Sequence, residues 1–510
     1  MRSLVHRLRG SARLWLSVFG VSLGLFAVRL LVPVPVGQAD NRDGPRLMCG
    51  LGFSPVTRGF PRFFRYAYFE YVSAPGCAGK KPYPTSEIVP VEVARLLTPV
   101  FGLPGSVNLI ALGLLMCALA SAGIASLVTG LRIRLWARLL IAAAVWLIMA
   151  DAAFFDVFAS PFSEPAALVG LLLVAAGVVY LGRDWRSTVL GLVLAGSGGF
   201  LAILSKEQYL VLAAPICLTL ILASGDRGRG RGLRRYRSRQ TAAAAVVAAV
   251  LALMAGAYMA WDYISHYGRR LHMIQAVDMI FQDIVTGHDN RVADLRALGM
   301  PASWSRYAGT YYWDTKRSVR FDRLFPRYEP KFNDLNIMHF LLTHPGRTLG
   351  IGQVAAIQAQ RFRVTELGDY AQSAGHPRGA VESRVVALTW LMHQLPPRLG
   401  LWLYVPLWLV MAALAVAALR WGAGAAWHRD GAVLVLCMIG CAVAAFVPPG
   451  YFAGISTTRH MVGTNLSTAL AVAVSVALAA SLIRHALLTR SKRRTETTAA
   501  PATPQMAQPG

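Results

Sequence analysis

Two adjoining stretches decide the reading: Leu14–Val36, LWLSVFGVSLGLFAVRLLVPVPV, and the residues at 38–49, QADNRDGPRLMC. The first is apolar for long enough to cross a bilayer as one helix. The second sets two carboxylates, Asp40 and Asp43, where the chain leaves the membrane. A carboxylate held at that boundary is partly desolvated, which raises its pKa and makes it a better base towards a hydroxyl. Beside Gly44 and Pro45, with Asn41 assisting, the same residues also have the chemistry of a solvated turn. The rest of the chain weighs between the two.

Of the 510 residues, 55% are hydrophobic and 15% are charged, and the apolar ones gather in long blocks. That composition excludes a soluble globular protein and fits an all-α polytopic membrane protein. The formal charge of +26 is placed for topology: seven arginines fall within Arg227–Arg239 between apolar blocks, and Arg490, Lys492, Arg493 and Arg494 follow the last block. Such charge orients helices and attracts anionic lipid, so membrane lipids are the expected partners and nucleic acid is not. Arg2, Arg7, Arg9 and Arg13 before an apolar run imitate a signal peptide, and Gly37-Gln38-Ala39 resembles a cleavage site. The run exceeds the roughly 7–15 residues of a signal core, so an uncleaved first helix is expected.

Ten apolar runs read as spans, near 14–36, 105–130, 137–155, 166–182, 188–204, 209–224, 241–263, 400–419, 431–448 and 461–483. The chain then divides into an N-terminus (1–13), seven helices (14–263) with a first loop at 37–104, a domain at 264–399, three helices (400–485) and a basic tail (486–510) that becomes disordered from Thr495. Lys/Arg bias puts both termini in the cytoplasm and both long loops outside. In the first loop, Phe60, Phe63, Phe64, Tyr68 and Tyr71 recur at helical spacing among Arg58, Arg62 and Arg65. Ile88, Val91, Leu96, Leu97, Val100 and Phe101 mark a second apolar face, with Pro90 near its start. Both predict helices lying in the interface. Cys49 and Cys77, an isolated pair in this loop, are expected to form a disulfide, whereas Cys117, Cys217, Cys437 and Cys441 lie in apolar blocks and read as packing residues.

Further charged residues fall at the outward ends of the runs. Asp151 sits nearly in the membrane; Asp156 and Glu164 flank a proline-rich turn; Lys206 lies at a hairpin; Arg459-His460 stands where the chain re-enters the bilayer. An intramembrane carboxylate such as Asp151 is a functional candidate, or a helix end reaching the interface. The second loop predicts helices near 271–285, 333–343 and 346–362. Its Trp304, Tyr307, Tyr311, Tyr312 and Trp313 would serve as platforms for sugar rings or as packing. No phosphate-cradling loop, cysteine–histidine metal spacing or nucleophile elbow is visible.

Carboxylates directly after the first span, an interfacial helix in the same loop and several further helix pairs resemble the GT-C superfamily, integral-membrane glycosyltransferases that use polyprenyl-phosphate-linked sugars. The likeness covers about residues 10–485 and is greatest to actinobacterial envelope enzymes. Asn41-Arg42-Asp43 approximates a family motif, so the resemblance favours Asp43 as the base, although Asp40 matches the first-loop acidic pattern as well. Ser160-Pro161-Phe162-Ser163-Glu164-Pro165, His344-Pro345 and Arg459-His460 are similar to recurrent family elements. The resemblance implies an inverting transfer to an envelope glycan, lipid or protein acceptor. Lys206, Arg459 and His460 would bind the donor phosphate, and Asp156 and Glu164 would position Lys206 or a divalent metal ion, although two carboxylates alone do not make a metal site. The chief rival is a transporter or flippase of lipid-linked sugars, and behind it a non-catalytic scaffold. Against the transporter, charge concentrates at one membrane face and no inverted repeat is visible.

Overall fold

Without water, a run of apolar residues satisfies its backbone groups only as a helix. The computed structural model describes residues 2–56, 63–77, 83–224, 234–286, 290–421, 426–454 and 457–498. Up to the second long loop its helices are α1 (Arg2–Leu31), α2 (Gly44–Met48), α3 (Ile88–Val100), α4 (Leu109–Gly130), α5 (Leu135–Ala150), α6 (Ala152–Phe155), α7 (Glu164–Val178), α8 (Trp185–Ile203), α9 (Ala213–Ser224) and α10 (Arg234–Ile264). The second loop carries α11 (His266–Asp278), α12 (Arg291–Ala297), α13 (Phe325–Tyr328), α14 (Asp334–Thr343), α15 (Pro345–Gln360) and α16 (Ala387–Gln394). The chain closes with α17 (Leu401–Trp421), α18 (Ala426–Tyr451), α19 (Thr457–His460) and α20 (Val462–Thr498).

Among the described residues, eight helices are long and apolar enough to cross a membrane, and α5 with the segment Ala152–Ala159, bent by 62°, counts as a ninth if the pair is one broken span. The protein is a polytopic helical membrane protein. The run at 166–182 is not a full span: α7 has 15 residues, roughly 22 Å at 1.5 Å each, against roughly 30 Å of hydrocarbon. It is enclosed by protein instead. Gly170 and Gly198 bring α7 and α8 together so closely that a Cβ on Gly170 would lie 2.5 Å from the Gly198 carbonyl oxygen. Small residues permit backbone-to-backbone packing of this kind. α20 continues to Thr498, so 495–498 are helical where composition predicts disorder, and 499–510 lie outside the described residues.

The first loop departs from an all-helical reading. Phe53–Pro55, Glu70–Ser73 and Val107–Asn108 form a three-stranded antiparallel sheet, β1 to β3, with Tyr71 opposite Pro55 and Val107. The aromatic segment predicted as a helix is a turn at 63–65 leading into β2; Arg58, Phe60 and Arg62 lie outside the described residues. The second predicted helix is present as α3, with Pro90 in its first turn, where the missing N–H costs nothing. It buries Val91, Ala94 and Thr98 and exposes Val89, Val93, Leu96 and Val100. The predicted helices of the second loop are present as α11, α14 and α15.

The two long loops interlock over the end of the bundle, here termed the loop end. Gly37 and Ala39 donate to the carbonyls of Asp369 and Gly368 (3.0 and 2.8 Å), and Ala67 donates to Tyr370 (2.9 Å). Beneath this weave lies a balanced cluster of buried charge. Arg29 of α1 meets Asp156 (3.4 Å) and Glu382 (3.5 Å); Arg363 meets Asp156 (2.8 Å) and Asp369 (2.6 Å); Arg384 meets Glu382 (2.7 Å). At the opposite end, Asp430 ties Arg132 to Arg183, each at 2.8 Å.

His272 joins the second loop to the bundle by bridging Asp262 of α10 and Asp334 of α14, each at 2.8 Å. Burial lowers its pKa, but the hydrogen bonds to the two carboxylates outweigh that and raise it to about 10. A raised pKa contributes stability that is complete below the unfolded value of roughly 6.5 and is lost as pH rises through the folded value. The melting temperature of wild type should therefore exceed that of His272→Gln at pH 6, with the gap closing towards pH 10. A gap independent of pH would remove the ion pair as its cause.

Candidate functional site

Asp43 is held by a turn that its neighbours build. The Oδ1 of Asp40 accepts the backbone N–H groups of Arg42 (2.7 Å) and Gly44 (2.9 Å), and Asn41 Oδ1 accepts that of Asp43 (3.1 Å). Arg42 takes a left-handed φ of 87°, which such side-chain bonds make tolerable. Position 44 admits only glycine, because a Cβ there would lie 2.6 Å from the Asp40 carboxylate. Asp40 thus shapes the turn, and its Oδ1 is committed to backbone. The segment is fixed on its other side by the Cys49–Cys77 disulfide, which directly follows α2.

The Asp43 carboxylate bonds to the guanidinium of Arg459, 416 residues away, and lies 3.6 Å from Arg46. Arg459 in turn lies 3.6 Å from Glu164, whose other partner is Lys206 at 3.1 Å. Lys206 and Arg459, on separate helix ends, therefore converge on Asp43 through Glu164. The Arg459 guanidinium sits 4.8 Å above the ring of Phe162, from the Ser160–Pro165 turn. His460 approaches Arg459 at 3.3 Å, and its carbonyl accepts Gln208 (3.1 Å). Buried beside Lys206 and Arg459, its imidazole is held well below the usual pKa and is neutral. Arg459 Nη1 and His460 Nδ1 are buried with no hydrogen-bond partner among the described residues.

Desolvation was expected to make Asp43 a better base. Burial does push its carboxyl up, but Arg459, then Lys206 and Arg46, outweigh it and hold the group far below the usual carboxylate range. At rest Asp43 is a fully charged ion-pair partner and a poor base.

Segment 83–87 locks the remaining walls in place. Thr85 donates to the Ser205 carbonyl (2.6 Å), Ser86 to that of Leu201 (2.7 Å), and Tyr83 bonds to Glu207. Glu87 accepts the N–H of Ala166 (2.7 Å) at the start of α7, a carboxylate on a helix N-terminus. Between these walls and Asp43, Arg46 and Lys206 lies a cavity of about 20 Å³, room for one water. A larger cavity, about 750 Å³, lies at the opposite end between α5 and α20, with mainly apolar walls and Arg132, Arg134 and Arg484 among its lining.

Two expected members belong elsewhere. Asp156 does not reach Lys206, because Arg29 and Arg363 occupy both its oxygens. Asp151 turns inward at the α5–α6 bend, where it accepts Ala153 N–H (3.1 Å), Leu388 N–H (2.8 Å) and the Thr389 hydroxyl (2.6 Å), and so pins α16 to the bundle. His344 stacks on Phe340 within the second-loop domain. Arg46, Tyr83 and Glu87 are site members not singled out in advance, and Phe162 entered only as part of the 160–165 element; Arg46, on the same short stretch as Asp43, carried the plainest signal. Among the described residues, no three His, Cys, Asp or Glu side chains cluster as a metal site would require.

The fold and this centre define a multi-pass helical membrane protein whose long loops close over a buried group of cations and carboxylates. A family model described as "YfdI N-terminal transmembrane domain" matches residues 4–497, and the chain belongs to that family. No curated protein and no solved structure matches it.

The disulfide next to α2 has a direct check. Non-reducing peptide mapping of the purified protein should recover Cys49 and Cys77 as one linked pair, and replacing both with serine should lower stability by about 2–4 kcal/mol. Alkylation of both thiols without reductant would leave the Asp43 turn held by its hydrogen bonds alone.

Proposed function

We propose that this protein is a glycosyltransferase, moving a sugar from a polyprenyl-phosphate donor to an envelope glycan, lipid or protein at the outer face of a bacterial plasma membrane. The observation that carries the reading is Arg459: a buried guanidinium bonded to Asp43, beside Glu164 and Lys206, with Nε and Nη1 lacking a hydrogen-bond partner among the described residues. An unsatisfied buried cationic donor beside a second cation is a site for an anion. The sequence resemblance to the GT-C superfamily supplies the chemistry that the anion would serve.

In the proposed step the acceptor hydroxyl oxygen attacks the anomeric carbon from the face opposite the phosphate. The carbon–oxygen bond to phosphate breaks, its electron pair leaves with the polyprenyl phosphate, and the hydroxyl proton passes to Asp43. Arg459 and Lys206 meet the charge growing on the leaving oxygen. The resting ion pair gives this a gate: a donor phosphate that draws Arg459 away from Asp43 removes the strongest opposition to its burial, and Asp43 regains basicity. The base is then competent only with donor bound. A cavity of about 20 Å³ cannot hold a sugar, so the donor must also displace a wall, and half-exposed Arg46 is the one free to swing.

Asp43→Asn in lipid nanodiscs should lower kcat for a synthetic polyprenyl-phosphoryl sugar by about 10²–10⁴-fold with donor affinity nearly intact. Asp40→Asn should act mainly by loosening the turn, with a smaller loss of kcat and a lower melting temperature. Near-wild-type turnover by Asp43→Asn would exclude the mechanism, and donor passage across the bilayer without turnover would select the flippase.

Both long loops must face outward for this chemistry, as the Lys/Arg bias predicts. In intact cells, a cysteine placed at Asn290 should react with an impermeant thiol reagent and one placed at Arg235 should not. The reverse pattern would put the site on the face that holds nucleotide sugars and remove the case for a lipid-linked donor.

A further inference from the structure

The four residues of α19 present two faces. Arg459 and His460 belong to the charged centre, whereas Thr457 and Thr458 line a separate cavity of about 530 Å³ between α15, the turn after α11 and the end of α18. That volume lies in the range of small-molecule sites. Asp283, Gln358, Arg361 and Glu366 furnish most of its remaining polar wall, and Tyr311 adds an aromatic ring.

This wall is built into the fold. Asp283 lies on a π-helical turn, Met279–Ile284, a distortion that recurs at functional sites. The turn is clamped from behind by Gly454, where a Cβ would lie 2.4 Å from Met279 N. Among the described residues the Asp283 carboxylate has no ion-pair or hydrogen-bond partner. Burial, then nearby Asp278, push it up to about 7, so near neutral pH it both donates and accepts. Thr458 is oriented by its hydroxyl donating to Gln358 (3.1 Å).

Of the five aromatic residues read as candidate sugar platforms, Trp304 is stacked in the domain core against Phe332, Tyr312 is buried and Tyr307 bonds to Asp322. Trp313 is exposed but meets Tyr312 and Arg320. Tyr311 is 43% exposed and lines the cavity, and among the described residues no other ring packs on it.

We propose that this cavity binds neutral sugar units of a glycan acceptor, a deepening that rests on the glycosyltransferase reading. Two carboxyl groups, two hydroxyls, two amides and one guanidinium around an open phenol ring match a polyhydroxyl ligand. Phosphate would meet two acidic side chains against one cation, and hydrocarbon would strand the polar wall unpaired. The α19 turn then separates donor phosphate from acceptor by a single helical turn.

The test uses full-length protein in nanodiscs and a panel of short neutral gluco-, manno-, galacto- and arabino-oligosaccharides, read by saturation-transfer NMR and titration. At least one should bind, and Tyr311→Ala and Asp283→Asn should each weaken it about tenfold, the worth of one good contact. Tyr311 is exposed, so its variant keeps the fold. Where turnover is measurable, acceptor KM should rise about tenfold with little change in kcat. Oligosaccharide binding without any turnover would support the cavity and defeat the glycosyltransferase reading. Turnover with acceptor KM unchanged in both variants, or no binding by any member of the panel, would overturn the cavity assignment.

Discussion

Charge cannot be left alone in a medium that does not solvate it, and this protein depends on how that constraint is met. Removing one partner of a buried pair costs about 3–5 kcal/mol, a large part of any domain's stability. Arg29, Arg363 and Arg384 against Asp156, Asp369 and Glu382 satisfy the constraint with three charges of each sign. They come from the first helix, the α6–α7 turn and the end of the second loop. Their mutual need brings those segments together and so sets the floor on which the Asp40–Asp43 turn rests.

The centre around Arg459 meets the same constraint incompletely. Asp43 and Glu164 are shared among Arg459, Lys206 and Arg46, and two nitrogens of Arg459, Nε and Nη1, have no hydrogen-bond partner among the described residues. Each cation of the Asp156 cluster has a carboxyl group beside it, although Arg29 Nη1 and Asp369 Oδ1 lack a hydrogen-bond partner among the described residues; the Arg459 centre has three cations against two such acids. In the proposed reading the first group holds the fold and the second takes a ligand, although both lie at the same end of the bundle.

Much of this was legible in the chain, and the rest failed for physical reasons. Hydropathy located the long apolar helices, since burial in lipid leaves apolar runs no other structure. It could not show that α7 is too short to span, because that depends on the glycines through which α8 closes upon it. The placement of Lys206, Glu164, Arg459 and Asp43 at one end of the bundle was readable from loop charge, whereas their convergence is set by the packing of the helices that carry them. Asp156 was assigned to the wrong partner because Arg363 lies in the other loop. Arg29, a cation inside an apolar run, was the signal that some carboxylate must be waiting for it. The aromatic residues after Arg62 fit a helical period, but Tyr66–Val72 is also a run of strand-forming residues, and pairing with β1 and β3 decided it. Position alone gave the desolvation of Asp43 and not the opposing field of Arg459, which is why its basicity was misjudged.

The pairing of Glu164 with Lys206 has a consequence for how the protein is made. Both belong to the α7–α8 hairpin and its exit, whereas Arg459 is synthesised about 250 residues later, roughly 13–50 s at ordinary ribosome speeds. During that interval the carboxylate and the ammonium neutralise each other, and the hairpin can sit in lipid without a bare charge. When α19 arrives, its arginine joins two acids that are already partnered, Glu164 by Lys206 and Asp43 by Arg46, and so brings surplus charge. Translation order thus lets the nascent chain insert without a bare charge and leaves the finished centre with more cations than acids, as the proposed anion site requires.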